Sequence, residues 1–468
     1  MPVDRPIYPE RQRRRRRWRI VLSVLTAFVL VVGGAVFYTA TRPPALTDAS
    51  GVFGADLDPV MERIRKENER VLRDHPDDYV TIVVLLPMTG TQPEIAMSRE
   101  TLRHALEGSH VAQVWRNKDR AAPPYVRLLV GSTGPADVDA TVAAIRDRQQ
   151  GEHIVAAAGM GASTAATASA IDQLGTDSFA MVGAVITSDD LQRKPGLVRI
   201  APLNSEEAAA ALRFARERLG PLPSVVVKDS NADDSYTRTL TEAFTGALAP
   251  VTVLSFDSAA KNPGTVLSNV AESICNSDAR TVYYTGRGDN LPELLSGLAR
   301  FSRCVARGIA VITGDDASEL NRASPSALWQ DGGGRIQLYY TALAHPADQA
   351  ATVKAFKDRF GDVDQNGFLR LFPRERLDDG QAIMHHDALL TAIRAVDKYA
   401  GQLGLPGPAE VAAMLRSGTA DFDGASGHIN INADGNPIDK RIPVLELHPD
   451  GKATSTGWPK LTEVSAPR

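Results

Sequence analysis

The sequence predicts an α/β protein: doubly wound parallel sheets in two lobes, preceded by one transmembrane helix. Three observations carry this expectation. Apolar runs of strand length alternate with helical stretches from Tyr79 to Tyr340, and such alternation builds parallel sheets. The runs are too many for one compact sheet, so they should divide between two. Ahead of them, residues 11–19 are nearly all arginine and residues 20–38 are apolar and uncharged.

The apolar stretch 20–38 spans roughly 29 Å at 1.5 Å per residue, enough for one bilayer crossing. Arginines before it should stay in the cytoplasm, leaving the main body outside. A cleaved signal peptide is the rival reading. Against it, the run is long for a signal core, and Tyr38-Thr39-Ala40 is a poor cleavage site. The expected layout is a basic cytoplasmic arm at 1–19, a signal-anchor helix at 20–38, and a linker with an amphipathic helix at 39–78. Pro43 and Pro44 mark the linker. Asp58 can cap the helix with Pro59 at its first turn. Asn68 interrupts that helix's apolar stripe of Val60, Met61, Ile64, Val71 and Leu72. It should dock on the next domain or, in a sharper reading, protrude as a dimerising helix.

From Tyr79 onward, strands are expected at 80–86, 126–130, 154–158, 179–186, 225–227, 251–256, 281–284, 309–312 and 336–340. Helices are expected at 100–106, 136–148, 163–174, 205–219, 235–248, 265–275 and 291–301, and a late one at 379–399. The stretch 154–191 is a complete strand, turn, helix and strand. Its first turn holds Gly159-Met160-Gly161, then Ser163 and Thr164; its second holds Thr187-Ser188-Asp189-Asp190. A right-handed crossover puts both turns on one sheet edge, where helix-start N–H groups bind ligands in open α/β sheets. Near the end, 427–431 and 442–447 flank Asp434-Gly435, a hairpin signal.

Of the 468 residues, 43% are hydrophobic and 23% charged, as in a globular protein. Net charge is -4; the first nineteen residues carry eight Arg against Asp4 and Glu10, about +6, leaving about -10 for the rest. An acidic body argues against nucleic-acid binding. Two cysteines are too few for a disulfide scaffold or a zinc cluster. No cofactor and no metal is expected. Gly159-Met160-Gly161 lacks the third glycine of a dinucleotide fingerprint, Thr164 standing in its place. Asp362-Val363-Asp364 begins like a calcium loop, but Pro373 occupies the twelfth position. His385 and His386 are adjacent on a helix and point to different faces. Nothing resembles a nucleophile elbow, so an enzyme is not expected.

Six segments in order resemble the type 1 periplasmic-binding fold, specifically the branched-chain-amino-acid-binding-like family. They are 80–90 (VTIVVLLPMTG), the paired turns at 159–164 and 184–191, 197–207 (LVRIAPLNSEE), 225–248 with its Tyr-bearing turn, 380–396 and 422–447. The match covers roughly 79–450. It implies two lobes joined by three crossing strands, with a small ligand clamped between them. Lobe one would be about 79–201 and 315–422, lobe two about 202–314 and 423–447, and 451–468 a C-terminal tail. The implied function is a solute-binding protein for ABC-type transport of an amino acid or other carboxylate. The alternative is a ligand-sensing ectodomain that signals through a partner protein.

The resemblance also nominates residues. Ser163 and Thr164, with Gly161 as backbone, sit where family members hold a ligand carboxylate, and Thr187 matches the second turn. Tyr236 matches the aromatic brought over the ligand from lobe two. Arg287, at a lobe-two strand end, would grip a carboxylate. Asp315 and Asp316 follow the expected second crossing. Ala260 occupies what looks like the place of the acid that pairs a ligand ammonium, which puts α-amino-acid specificity in question. Cys275 and Cys304, near the ends of neighbouring lobe-two helices, are expected to pair in an oxidising compartment.

Overall fold

A computed structural model describes residues 44–458 except 92–93, 120–121, 322–328, 330–331, 362–363 and 419. The expected anchor at 20–38 and the start of the calcium-like loop lie outside the described residues. Among the described residues, no helix is long and apolar enough to cross a membrane.

The apolar runs become strands because parallel strands are covered on both faces. Tyr79–Leu86, for example, is buried along its whole length. The strands are β1 (Leu46–Thr47), β2 (Tyr79–Leu86), β3 (Tyr125–Ser132), β4 (Ile154–Gly159), β5 (Ala180–Gly183) and β6 (Leu197–Arg199). They form one sheet in the order β1-β3-β2-β4-β5-β6. A second sheet takes β7 (Ser224–Asp229), β8 (Thr252–Phe256), β9 (Thr281–Tyr284), β10 (Ile309–Thr313), β11 (Ile336–Thr341), β14 (Val444–Leu447) and β15 (Ala453–Trp458). Its order is β15-β14-β11-β10-β9-β7-β8. β12 (Asp421–Gly424) and β13 (Gly427–Asn430) make a separate antiparallel pair. All pairings within β2–β6 and within β7–β11 are parallel.

Both sheets reverse direction of growth once. In the first the switch lies between β2 and β4; in the second it lies between β7 and β9. Ligand crevices open at such switch points, beyond the carboxyl ends of the strands.

Helices that matter below are α1 (Asp58–Asp74), α2 (Arg99–Val114), α3 (Ala165–Leu174), α4 (Asn204–Phe214), α5 (Ser235–Leu248) and α6 (Gln381–Leu403). α1 docks on the first lobe, with Val60, Met61, Ile64 and Val71 buried. Asn68, the break in its stripe, is the residue that fastens it. Its Nδ2 donates to Leu128 O at 2.6 Å, and its Oδ1 accepts from Leu128 N at 3.0 Å and Gln113 Nε2 at 2.8 Å. Asp58 is the first helical residue, not the cap, which is Leu57.

Three assignments differ from the sequence reading. β11 belongs to the second lobe, so the chain returns to the first lobe after Thr341, with Leu343 and Ala344 in the first lobe's core. The expected crossing at 314–315 is instead a short helical segment, Asp315–Asn321, whose Ala317 and Leu320 pack in the second lobe. The Asp434-Gly435 turn forms, with Asn432 N donating to Asn436 O at 2.8 Å and an antiparallel bridge from Ile431 to Pro437, but the expected strands 427–431 and 442–447 do not pair with each other. β13 pairs with β12, and β14 pairs with β11 and β15. Residues 453–458 of the expected tail are thus a sheet strand. A local alternating pattern fixes a strand and its turn, and leaves open which neighbour completes the pair.

Cys275 and Cys304 form a disulfide, with Cα atoms 5.1 Å apart.

Candidate ligand cleft

The switch point of the first lobe is a turn with three successive residues at positive φ: Gly159 (93°), Met160 (69°) and Gly161 (77°). A side chain at Gly161 would place Cβ 2.8 Å from Pro87 Cδ, so glycine is required both by conformation and by the close approach of Pro87. Thr164 then caps α3, its Oγ1 accepting from Thr167 N at 3.3 Å. Ser163 does not cap. Its Oγ accepts from Thr187 N and Ser188 N, both at 3.2 Å, and so joins the two turns of the sheet edge. Arg199, 1% exposed at the end of β6, braces the second turn from behind. Its Nη1 donates to Ile186 O at 3.3 Å and Ser188 O at 2.9 Å. Burial without a touching carboxylate lowers its pKa to about 10.

The second lobe's switch point faces this turn. Asp234 caps α5, Oδ1 accepting from Tyr236 N at 3.0 Å. Arg287, just beyond β9, binds Asp234 in a fork, Nε to Oδ2 at 2.7 Å and Nη2 to Oδ1 at 2.9 Å. Its Nη1 donates to Asp316 Oδ1 at 2.9 Å, and its guanidinium stacks on the Tyr236 ring at 4.3 Å. Nη2 also crosses to the first lobe, donating to Ser163 O at 3.1 Å. Burial alone would lower the arginine's pKa; the charges of Asp234 and Asp316 outweigh it and hold the value well above the ordinary one.

Further contacts hold the lobes together. Ser188 Oγ donates to Ser235 O and Ser235 Oγ to Ser163 O, both at 3.3 Å. Thr101 Oγ1 on α2 donates to Glu319 Oε1 at 2.7 Å. Between them lies a cavity of about 20 Å³, room for one water molecule. Met97, Ala162, Thr187 and Gln381 line it from one side, and Tyr236, Arg287, Asp315, Asp316 and Glu319 from the other. A wider groove of about 700 Å³ opens at the outer mouth, between Pro135, Thr164 and Ser169 on one lobe and Asn231, Asp233 and Ala259 on the other.

At the back of the cavity, half-buried Asp315 meets a buried acid. Glu207 on α4 is fully buried; its Oε2 accepts from Thr341 Oγ1 at 2.5 Å and Asp315 N at 3.1 Å, while Oε1 has no partner. Burial raises the Glu207 pKa well above the usual range, and the Asp315 charge raises it further. Burial likewise pushes Asp315 up to about 7, with Asp316 adding to the effect.

Of the nominated residues, Thr187, Tyr236, Arg287, Asp315 and Asp316 meet at one cavity. Thr164 opens on the outer groove instead, and Gly161 lines neither space. Three expected roles change in this closed arrangement. Arg287 is occupied by Asp234 and Asp316, so it is no free carboxylate grip. Ser163 uses its hydroxyl oxygen on the Thr187 and Ser188 amides. Tyr236 is 1% exposed and part of the second lobe's core, showing only an edge to the cavity. Sequence reasoning missed Arg199, Glu207, Asp234 and Glu319. Asp234 carried a usable signal, a carboxylate just before an expected helix.

No family model matches the sequence, and no curated protein matches it. Solved structures do. A leucine-binding protein from Thermotoga maritima is 23% identical with a TM-score of 0.60, covering 80% of this chain and 97% of its own. A branched-chain amino acid transporter substrate-binding protein from Streptococcus pneumoniae, in complex with isoleucine, is 13% identical with a TM-score of 0.61, over 81% and 99%. An ABC-transporter solute-binding protein from R. palustris, in complex with 4-hydroxybenzoate, is 14% identical with a TM-score of 0.59, over 81% and 96%. The chain therefore has the two-lobed fold of type 1 periplasmic-binding proteins.

Proposed function

We propose that this chain is a membrane-anchored, extracytoplasmic solute-binding protein that closes its two lobes on a small polar ligand and serves an ABC-type permease. The observation that carries the reading is the meeting of Thr187 with Tyr236, Arg287 and Asp315 in one cavity, at the switch points of both sheets. Ligand enters with the lobes parted, because the closed cavity is smaller than any amino acid. The residues lining the cavity argue for part of the ligand's chemistry. Asp315, Asp316 and Glu319 outnumber Arg287 there, and above about pH 7, where Asp315 has released its proton, that surplus of carboxylates favours a cationic group. The ammonium partner that Ala260 does not supply thus has candidates on the Asp315–Asn321 segment.

A thermal-shift screen of the full-length protein against amino acids and aromatic carboxylates tests this, followed by calorimetry on the best binder. Amino-bearing ligands should outbind benzoate-like ones. Thr187→Ala and Tyr236→Phe should each weaken binding about ten- to a hundredfold, the loss of one buried hydrogen bond to a charged group. Unchanged dissociation constants in both variants would place the site elsewhere.

The proposed location rests on the arginine cluster and apolar run at 11–38 and on the Cys275–Cys304 disulfide, which suits an oxidising compartment. Intact-mass measurement of the membrane-extracted protein after alkylation should find the chain uncut near residue 41 and no labelled thiol before reduction. A mature terminus near that residue, or two alkylated cysteines, would contradict the placement.

A further inference from the structure

Away from the cleft, on the first lobe, the structure assembles a second polar centre that the ligand reading does not use. His104 and Glu107 stand three residues apart on α2 and so share one helix face. The segment before α6 brings Glu375 against them. One ligand atom from each of the three lies within 4.8 Å of the others. We propose that His104, Glu107 and Glu375 form a binding site for a divalent first-row transition metal such as zinc.

Two features mark the cluster as more than a group of acids. The first is orientation of the imidazole. His104 Nδ1 is bonded to Asp379 Oδ2 at 2.7 Å, which directs Nε2 towards Glu375 Oε2, 3.2 Å away. A carboxylate holding the far nitrogen of a ligating histidine is the usual support of a metal site. The second is Glu107. It is 2% exposed, yet its Oε2 has no hydrogen-bond partner. A buried carboxylate oxygen without a donor costs free energy that a cation would recover. Glu375 keeps 23% of its side chain exposed, which gives an ion a way in.

The donor set narrows the class of ion. One imidazole with two carboxylates suits zinc or a neighbouring transition metal better than magnesium or calcium, which prefer oxygen alone. Three protein ligands leave a fourth position for water. Bonds of about 2.0–2.2 Å put tetrahedral ligand atoms roughly 3.4 Å apart, so a pair at the 4.8 Å limit must draw in by about 1.4 Å. Arg103 is the competitor. Its Nη2 holds Glu375 Oε2 at 2.8 Å, and its Nε sits 3.9 Å from Glu107 Oε1, too far for a hydrogen bond. The arginine therefore balances part of the charge without satisfying Glu107.

The test is calorimetry with zinc on chelator-treated, full-length protein, alongside cobalt absorption as a reporter of ligand geometry. One zinc per chain should bind with a dissociation constant below about 10 µM. Glu107→Gln, which keeps the side chain's volume, and Glu375→Gln, on the partly exposed segment, should each weaken binding at least tenfold. Arg103→Gln should tighten it. His428→Ala removes an imidazole placed between Asp421 and Asp423 on the β12–β13 pair, and should change nothing. The proposal is overturned if no stoichiometric zinc binds, if both glutamine variants bind as wild type does, or if His428→Ala abolishes binding.

Discussion

Replacing Arg287 by methionine is expected to lower the unfolding free energy by about 3–5 kcal/mol, the range for removing one partner of a buried ion cluster. The reason is the state of what remains. Asp234 and Asp316 keep only 12% and 15% of their side chains exposed, and each would face the other with no cation between. Methionine fills most of the volume beside the Tyr236 ring, so packing loss is a minor part. The same substitution deletes the donor to Ser163 O, a direct link between the lobes. It should therefore shift the molecule towards an open form, visible as a larger radius of gyration in solution scattering. Denaturant midpoints measure the first effect. In an Asp234→Asn background the cost should shrink markedly, because one of the stranded charges is already gone. A loss under about 1 kcal/mol in the single variant would mean that the cluster is solvated and does not hold the cleft.

This arginine also shows how far the sequence reaches. Its place at a strand end beside the cleft is legible, because strand–helix alternation puts every parallel strand's carboxyl end on one edge. Thr187 and Tyr236 are legible for the same reason. What Arg287 does there is not. Its partners lie 53 and 29 residues away in the chain, on a helix cap and on a segment after another strand. Whether those acids or a ligand take the guanidinium depends on distances of an ångström, which no residue pattern encodes.

The fold follows a similar division. Runs such as Tyr79–Leu86 announce themselves because both faces are buried and apolar. The run at Ile336–Thr341 announces a strand equally well, but its lobe depends on where the chain crosses. Periodicity carries no information on that point. Glu206 and Glu207 make the same point at one step's separation. Glu206 accepts from Leu203 N at 2.8 Å at the helix start, while Glu207 faces inward and is fully buried. His104-x-x-Glu107 did carry a readable spacing. Its third member, Glu375, lies 268 residues beyond Glu107 in the chain, and only the fold brings it there.

The inward Glu207 and its neighbour Asp315 make stability depend on pH. A carboxyl whose folded pKa is raised holds its proton in the native state while the unfolded chain has already released it. With Asp315 pushed up to about 7 from an ordinary 3.8, the native state binds more protons between about pH 4 and pH 7. Stability contributed by the pair therefore falls as pH rises through that window. A shift of roughly three units corresponds to about 4 kcal/mol at full burial. Asp315 borders the water-sized cavity, so roughly 2–4 kcal/mol is the expected span. Glu207→Gln should remove most of it. The amide oxygen can still accept from Thr341 Oγ1 and Asp315 N, and its NH2 can donate to the Asp315 carboxylate. Other buried groups pull the opposite way, among them His110 and His385, both lowered to about 4 by burial. The comparison of variant with wild type cancels them. Chemical denaturation at pH 4.5 should give nearly equal stabilities, and at pH 8 the glutamine variant should be the more stable by a few kcal/mol. Parallel curves across that range would show that Glu207 and Asp315 bind no extra proton in the native protein.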